Sequence, residues 1–222
     1  MRVLVIAHRS VAAEFGYLEP WLDTMTVTRH AREDGPPSST LLAHNDLMLV
    51  LGSPGSVAEG HCNKASADEI ATVRTWVTQD RPYLGLCFGA QVLACALGGT
   101  VTRMPRTYRA YTELALTPQA PPSLQGPWVI WHEDAITAPT QSTVLGRLPH
   151  ADLAFRVGRA WALQPHVEVS SASLQRMATA LQATTEETQS LIERLRDSEQ
   201  ASNPPSARLA VLLEEFSRAA LA

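Results

Sequence analysis

The sequence predicts an α/β fold: a mainly parallel sheet with helices on both faces, a small antiparallel extension and a helical C-terminal tail. Three observations carry this. Short β-rich runs alternate with helix-patterned segments over the first two thirds of the chain, the arrangement that builds parallel sheets through crossover helices. Asp46–Leu51 and Pro82–Leu86 are short and mostly apolar, as strands buried on both faces are. Beyond residue 170 the β-rich runs stop and apolar residues recur at helical spacing.

Taken in order, Arg2–Ala7 is the first strand and Thr24–Thr28 the second. Pro36-Pro37-Ser38-Ser39 marks a loop before the strand Asp46–Leu51, which ends at Gly52-Ser53-Pro54-Gly55. Residues 56–66 read as a polar loop of small residues. Ala67–Gln79 reads as a helix, with Asp68 and Glu69 in the first turn where the helix dipole favours acids. Pro82–Leu86 runs straight into Cys87. Ala90, Leu93, Ala94 and Leu97 then follow at helical spacing until Gly98-Gly99 stops them. Residues 100–165 hold β-like pieces around Leu114–Thr117, Trp128–Trp131, Ala154–Val157 and Ala160–Leu163, separated by Pro-rich turns. Leu174, Met177, Ala178, Leu181, Thr185, Thr188, Leu191, Ile192 and Leu195 fall on one face of a single long helix. Asn203-Pro204-Pro205 breaks it, and Leu209, Leu212, Leu213 and Phe216 define a final short one. Residues 1–170 are read as one domain and 171–222 as a helical extension packed on it.

Composition narrows the function. A chain of 222 residues can bury one substantial core without staples. No apolar run approaches the ~18 residues of a membrane span. The N-terminal apolar stretch is too short for a signal-peptide core, so the expected location is cytoplasmic. A net charge of -4 argues against nucleic acid or an anionic membrane as partner. Cys62, Cys87 and Cys95 are an odd, sparse set with no C-x-x-C pair, which speaks against a disulfide framework or zinc. His61-Cys62 lacks a second pair of ligands, so no metal is expected. Lys64 is the only lysine and stands outside any G-x-x-x-x-G-K-[ST] context, so a P-loop phosphate cradle is absent. No cofactor is expected.

The chemistry concentrates in Gly85-Leu86-Cys87-Phe88-Gly89-Ala90-Gln91. A cysteine between a buried strand and a helix, with glycine two residues away on either side, sits on a sharp turn like a nucleophile elbow. The helix N-terminus favours a thiolate, and the N–H groups that follow can donate to an oxyanion. Such a nucleophile needs a base, and the base an orienting group. His166 follows a β-like run and is followed by Glu168. In extended chain these two side chains point the same way, so the carboxylate can hold the imidazole from its far side.

These segments resemble those of class I, triad-type glutamine amidotransferases. Gly85-Leu-Cys87-Phe-Gly89-Ala-Gln91 is similar to their G-x-C-x-G-x-Q elbow, and Gln164-Pro-His166-Val-Glu168 to their Q-x-H-P-E signature. Leu51-Gly-Ser53-Pro-Gly55 resembles their oxyanion-loop segment. Trp131-His132-Glu133-Asp134 resembles the W-H-x-D segment of the stand-alone subgroup related to the amidotransferase domain of GMP synthetase. The order and separation of these segments fit over roughly residues 1–170. The resemblance implies a flavodoxin-like or Rossmann-like sheet with Cys87 at the carboxyl end of a central strand. It implies Cys87 as nucleophile, His166 as acid and base and Glu168 as its orienter. It further implies an oxyanion hole from the backbone N–H groups of Ser53 and Phe88, and Gly55, Gln91, His132 and Asp134 in the substrate pocket. His132 and Asp134 are read as pocket-shaping or structural rather than as a second acid–base pair.

Four departures stand out. Ser53 replaces the family's usual glycine, Pro165 its usual aromatic, Val167 its usual proline, and Tyr108-Arg109-Ala110 lies where an E-[I/V]-G segment is expected. The last change exchanges an acid for Arg109, which can read a carboxylate in a different substrate. The leading expectation is therefore a cysteine-dependent amidotransferase or amidase acting on glutamine or another γ-glutamyl amide, supplying ammonia to an ATP-dependent synthase. A second reading is a γ-glutamyl hydrolase acting on a peptide or secondary-metabolite conjugate. A third is a catalytically silent binding protein of the same fold.

Overall fold

The computed structural model describes residues 1–9, 14–58 and 66–221. His61, Cys62 and Lys64 lie outside the described residues. In chain order the strands and helices are β1 (Arg2–Ala7), α1 (Glu19–Leu22), β2 (Thr26–Ala31), α2 (Ser39–Ala43), β3 (Leu47–Val50), α3 (Ala67–Thr78), β4 (Tyr83–Leu86) and α4 (Phe88–Ala96). They continue with β5 (Thr100–Thr112), β6 (Ala115–Leu116), β7 (Trp128–Thr137), β8 (Thr143–Leu148), β9 (Ala151–Val157), β10 (Ala160–Leu163), α5 (Ser171–Ala180), α6 (Glu186–Glu199) and α7 (Pro205–Ala220).

Among the described residues, eight strands form one sheet in the order β2-β1-β3-β4-β10-β9-β8-β6, and β5 and β7 form a separate antiparallel pair. The half from β2 to β10 is parallel, and β9, β8 and β6 continue it antiparallel. This is the doubly wound α/β architecture with an antiparallel extension that the sequence predicts.

Strand periodicity explains the layers. Val3, Val5, Leu47 and Leu49 point to one face and share a core cluster with Leu209, Leu212, Leu213 and Phe216 of α7, whose Phe216 ring packs edge-on against Trp161 of β10 at 5.8 Å. Leu4, Ile6, Met48 and Val50 point to the other, against Val73 and Trp76 of α3 and Val92 and Leu93 of α4. Because successive side chains alternate, a strand apolar at every position needs cover on both faces. The final helix is therefore a structural layer of the sheet.

Three expectations need correction. The single long helix over 174–195 is two helices, α5 and α6, with Gln182 left-handed at φ 52° between them. Thr185 caps α6 by accepting from the Thr188 N–H at 3.2 Å, and Glu186 and Glu187 occupy the first turn. That start signal outweighs the continuous apolar stripe. The second strand lies at Thr26–Ala31, shifted from Thr24–Thr28. Finally, β5 runs from Thr100 to Thr112 through Pro105, where no strand was expected. Its register with β7 breaks between Arg103 and Tyr108, so the proline falls in the irregularity rather than in the ladder.

Candidate active site

Two neighbouring parallel strands bring the candidate catalytic residues together. Leu86 at the end of β4 is in register with Leu163 at the end of β10. Cys87 follows the first strand end and His166 lies three residues beyond the second. The Cys87 N–H donates to the Leu163 carbonyl at 2.8 Å. The His166 N–H donates to the Val129 carbonyl of β7, also at 2.8 Å, which pins the chain after β10 against the separate hairpin.

The turn at Cys87 is strained in the way an elbow requires. Cys87 has φ 50° and ψ -106° at the N-terminus of α4, a conformation that non-glycine residues rarely adopt. The flanking glycines permit it. A Cβ at Gly89 would lie 2.2 Å from the Val50 carbonyl oxygen, and one at Gly85 would lie 2.6 Å from the Gly89 backbone. The Tyr83 hydroxyl donates to the Gly89 carbonyl at 2.8 Å and fixes the turn from below.

Cys87, His166 and Glu168 form one connected group. The Cys87 and His166 side chains lie side by side against Gly52, and His166 Nδ1 lies 2.8 Å from Glu168 Oε1. Burial works to lower the His166 pKa. The charges of Cys87 and Glu168, with their hydrogen bonds to the ring, outweigh it and raise that pKa well above the ordinary 6.5. With Nδ1–H committed to the carboxylate, Nε2 is the nitrogen left for the sulfur. The Glu168 carbonyl in turn accepts from the Tyr17 N–H at 2.7 Å. Gly16, at φ 52°, passes so close that a Cβ there would lie 2.2 Å from that carbonyl oxygen.

A cavity of about 450 Å³ opens above Cys87. Of the residues singled out in the sequence, Ser53, Gly55, Cys87, Phe88, Gln91, Arg109, His132, Asp134, His166 and Glu168 all line it. Their chemistry differs from the simple expectation in places. Both carboxylate oxygens of Asp134 accept from the Ser56 hydroxyl, at 2.9 and 2.7 Å, and one also accepts from the Val57 N–H at 3.0 Å. Asp134 thus anchors the loop that carries Ser53 while also lining the cavity. The His132 Nδ1–H donates to the Asp134 carbonyl at 2.7 Å, and its Nε2 lies 3.2 Å from His150 Nε2, which must then carry the shared proton. Both ring nitrogens of His132 are thus engaged by neighbouring groups at the cavity wall. Gln91 is buried and donates to Gln164 Oε1 at 3.2 Å. The guanidinium of Arg109 lies 4.7 Å from the Trp131 ring centroid and 3.4 Å from a carboxylate oxygen of Glu187 on α6.

Sequence reasoning gave several neighbours no role of their own. Gly52 approaches His166 so closely that a Cβ there would lie 3.1 Å from Cε1. Gln164 and the Trp131 carbonyl, 3.7 Å from Cys87 Sγ, complete the surroundings. Arg32 is buried behind the loop after β3. The glycine after the apolar strand was a visible signal for Gly52; Arg32 had no local one.

A model of the family described as Glutamine amidotransferase class-I matches residues 21–136. The chain belongs to that family. The GMP synthase [glutamine-hydrolyzing] of Thermus thermophilus is 33% identical over 144 residues, covering 60% of this chain and 27% of that protein. The enzyme of the same name from Aeropyrum pernix is 30% identical over 129 residues, covering 55% of this chain and 24% of its own. The amidotransferase chain thus matches about a quarter of each relative's length. A crystal structure of a glutamine amidotransferase from Thermotoga maritima superposes with a TM-score of 0.79 at 22% identity, covering 97% of both chains, and shares the fold. Family membership supports glutamine-amide hydrolysis as the class of activity. Among the described residues no helix is long and apolar enough to cross a membrane.

Proposed function

We propose that this amidotransferase hydrolyses the side-chain amide of glutamine through a γ-glutamyl thioester on Cys87, with the ammonia consumed by an ATP-dependent synthase. The observation that carries the reading is the buried His166–Glu168 pair, 2.8 Å apart, beside Cys87 on its strained turn at the cavity. The Cys87 thiol gives its proton to His166 Nε2 as the sulfur attacks the γ-carbonyl carbon. The carbonyl π electrons move onto oxygen, which faces the N–H groups of Ser53 and Phe88. Such a donor is worth roughly 3 kcal/mol in the transition state. The tetrahedral intermediate collapses by breaking the C–N bond, and His166 protonates the departing nitrogen, leaving the thioester. Water, deprotonated by His166, then attacks the same carbon and releases glutamate and the thiol. Glu168 keeps the ring in one tautomer and stabilises the imidazolium, consistent with the raised His166 pKa. The synthase partner is supported by the relatives from Thermus thermophilus and Aeropyrum pernix, which are glutamine-hydrolysing synthases.

A second reading, hydrolysis of a larger γ-glutamyl conjugate, is favoured by Arg109. Its Nε is buried without a hydrogen-bond partner among the described residues, while the cavity wall runs on over Met177, Leu181 and Ala183. A volume of about 450 Å³ lies within the range that holds drug-sized ligands. A catalytically silent role leaves the connected Cys87, His166 and Glu168 without explanation.

The test is intact-protein mass spectrometry after exposure to a diazo-ketone analogue of glutamine, with C87S as control and glutamate release assayed in parallel. Labelling of Cys87 together with glutamate release is the expected result. Alkylation by a small reagent without labelling by the analogue refutes glutamine as substrate. In that case γ-glutamyl amides whose amine bears a carboxylate should turn over in the wild type and lose their advantage in R109Q.

A further inference from the structure

We infer that Arg32, which lies outside the triad, is a positioning residue that aims both halves of the oxyanion site. The inference rests on the assignment of Ser53 and Phe88 as the oxyanion donors.

Arg32 follows β2 and its side chain is 1% exposed. Its Nη1 donates to the Gly52 carbonyl at 3.1 Å and its Nη2 to the Leu51 carbonyl at 3.2 Å. Its Nε and Nη2 also make a fork on Glu69 of α3, at 3.1 and 3.0 Å. The guanidinium carbon sits 4.2 Å from the centroid of the Phe88 ring. One planar group therefore touches the loop after β3 on one side and the first residue of α4 on the other.

Peptide geometry gives this contact a direction. The Gly52–Ser53 bond is trans, so the Gly52 C=O and the Ser53 N–H point opposite ways across one rigid plane. Arg32 holds the carbonyl from behind the loop. It does not line the cavity, whereas Gly52, Ser53, Cys87 and Phe88 do. With the carbonyl turned back toward Arg32, the Ser53 N–H is turned forward, toward the space above Cys87. The same guanidinium supports the Phe88 ring and with it the turn whose N–H is the second donor.

The choice of residue fits this role. Five donors in a rigid fork can serve two carbonyls and a carboxylate at once, which a lysine ammonium cannot do with fixed geometry. A buried ion pair such as Arg32–Glu69 is in addition a poor stability device compared with apolar packing. Its presence behind the loop is better explained by the orientation it imposes.

The test separates oxyanion stabilisation from thiol reactivity and from substrate recognition. Acylation of Cys87 by p-nitrophenyl acetate passes through a tetrahedral oxyanion: the sulfur bonds to the carbonyl carbon and p-nitrophenolate leaves. Alkylation by iodoacetamide displaces iodide and forms no oxyanion. In R32M the acylation rate should fall about 10-fold or more, short of the roughly 100- to 1,000-fold loss on deleting an oxyanion donor outright. The alkylation rate should hold, and R32K should recover part of the acylation. Unchanged acylation in R32M overturns the inference. So does an equal fall in both rates, which marks Arg32 as fold support alone. If R32M does not fold, E69Q, which leaves Arg32 in place but loosens its fork, decides by the same two rates. A wild type with no Cys87-dependent acylation also overturns it. Because p-nitrophenyl acetate carries no glutamyl group, a chain that is acylated but ignores γ-glutamyl amides refutes the substrate reading alone.

Discussion

Replacing Gly52 with alanine should slow turnover by about 10-fold or more while leaving the fold intact. The new methyl carbon would lie 3.1 Å from His166 Cε1 and 3.6 Å from Cys87 Cβ. Non-bonded carbons settle about 3.5–4.0 Å apart, so the ring must retreat by roughly half an ångström. It has little freedom to do so, because Nδ1 is held by Glu168 at 2.8 Å and the backbone N–H by Val129 at 2.8 Å. The displacement therefore enters the contact between His166 and Cys87. A misplacement of about 1 Å can cost about 100-fold, and half of it about an order of magnitude. Gly52 is not in the left-handed region, so alanine also narrows the unfolded ensemble, worth about 0.4–1 kcal/mol. That gain offsets part of the repulsion and the thermal midpoint should move little. At Gly89, by contrast, the intruding methyl meets the Val50 backbone at 2.2 Å, and alanine there should prevent α4 from docking. Steady-state hydrolysis of glutamine and a thermal melt, run on G52A, G89A and wild type, make the measurement. Wild-type kcat in G52A would refute the claim that His166 is held too tightly to yield.

Two further outcomes follow from buried groups elsewhere. Burial, with the charges of His150 and His166, lowers the His132 pKa from 6.5 to about 4 against the opposing hydrogen bond to the Asp134 carbonyl. The unfolded chain takes up that proton near pH 6.5 and the folded chain only near 4, so stability falls as pH drops through this window. The interval corresponds to about 3 kcal/mol at about 1.4 kcal/mol per pH unit. Urea melts of H132N should lose less stability than wild type between neutral and acid pH, and equal losses would rule out His132 as the cause. Truncation after Asn203 removes Leu209, Leu212, Leu213 and Phe216, all buried against the sheet. At about 1.5–3 kcal/mol per large side chain, these four approach the about 5–15 kcal/mol of a whole domain. The truncated chain should show no cooperative melt by circular dichroism; a cooperative one would mean that α7 is dispensable.

Cys87, the elbow and the layered sheet were legible in the sequence because each is written in neighbouring residues. Gly85 and Gly89 announce a turn that admits no Cβ, and the apolar strands that precede Cys87 announce a sheet buried on both faces. His166 and Glu168, two residues apart in extended chain, could be paired for the same local reason. Tertiary structure decided what lies far apart. The pocket-shaping or structural part read for Asp134 came without partners, which are Ser56 and Val57 from a loop many residues earlier. The stripe from Leu174 to Leu195 looked continuous because period alone cannot weigh a cap; the chain turns back at Gln182, and Thr185 starts a second helix. Arg32 carried no motif at all. Its contacts with Leu51, Gly52, Glu69 and Phe88 exist only once β2, β3, α3 and α4 are folded around it. The sequence by itself determined where the candidate nucleophile sits, since strand, turn and helix are short-range preferences. What surrounds and aims that nucleophile was decided by the tertiary structure, because crossover connections alone fix which distant polar groups share one buried space.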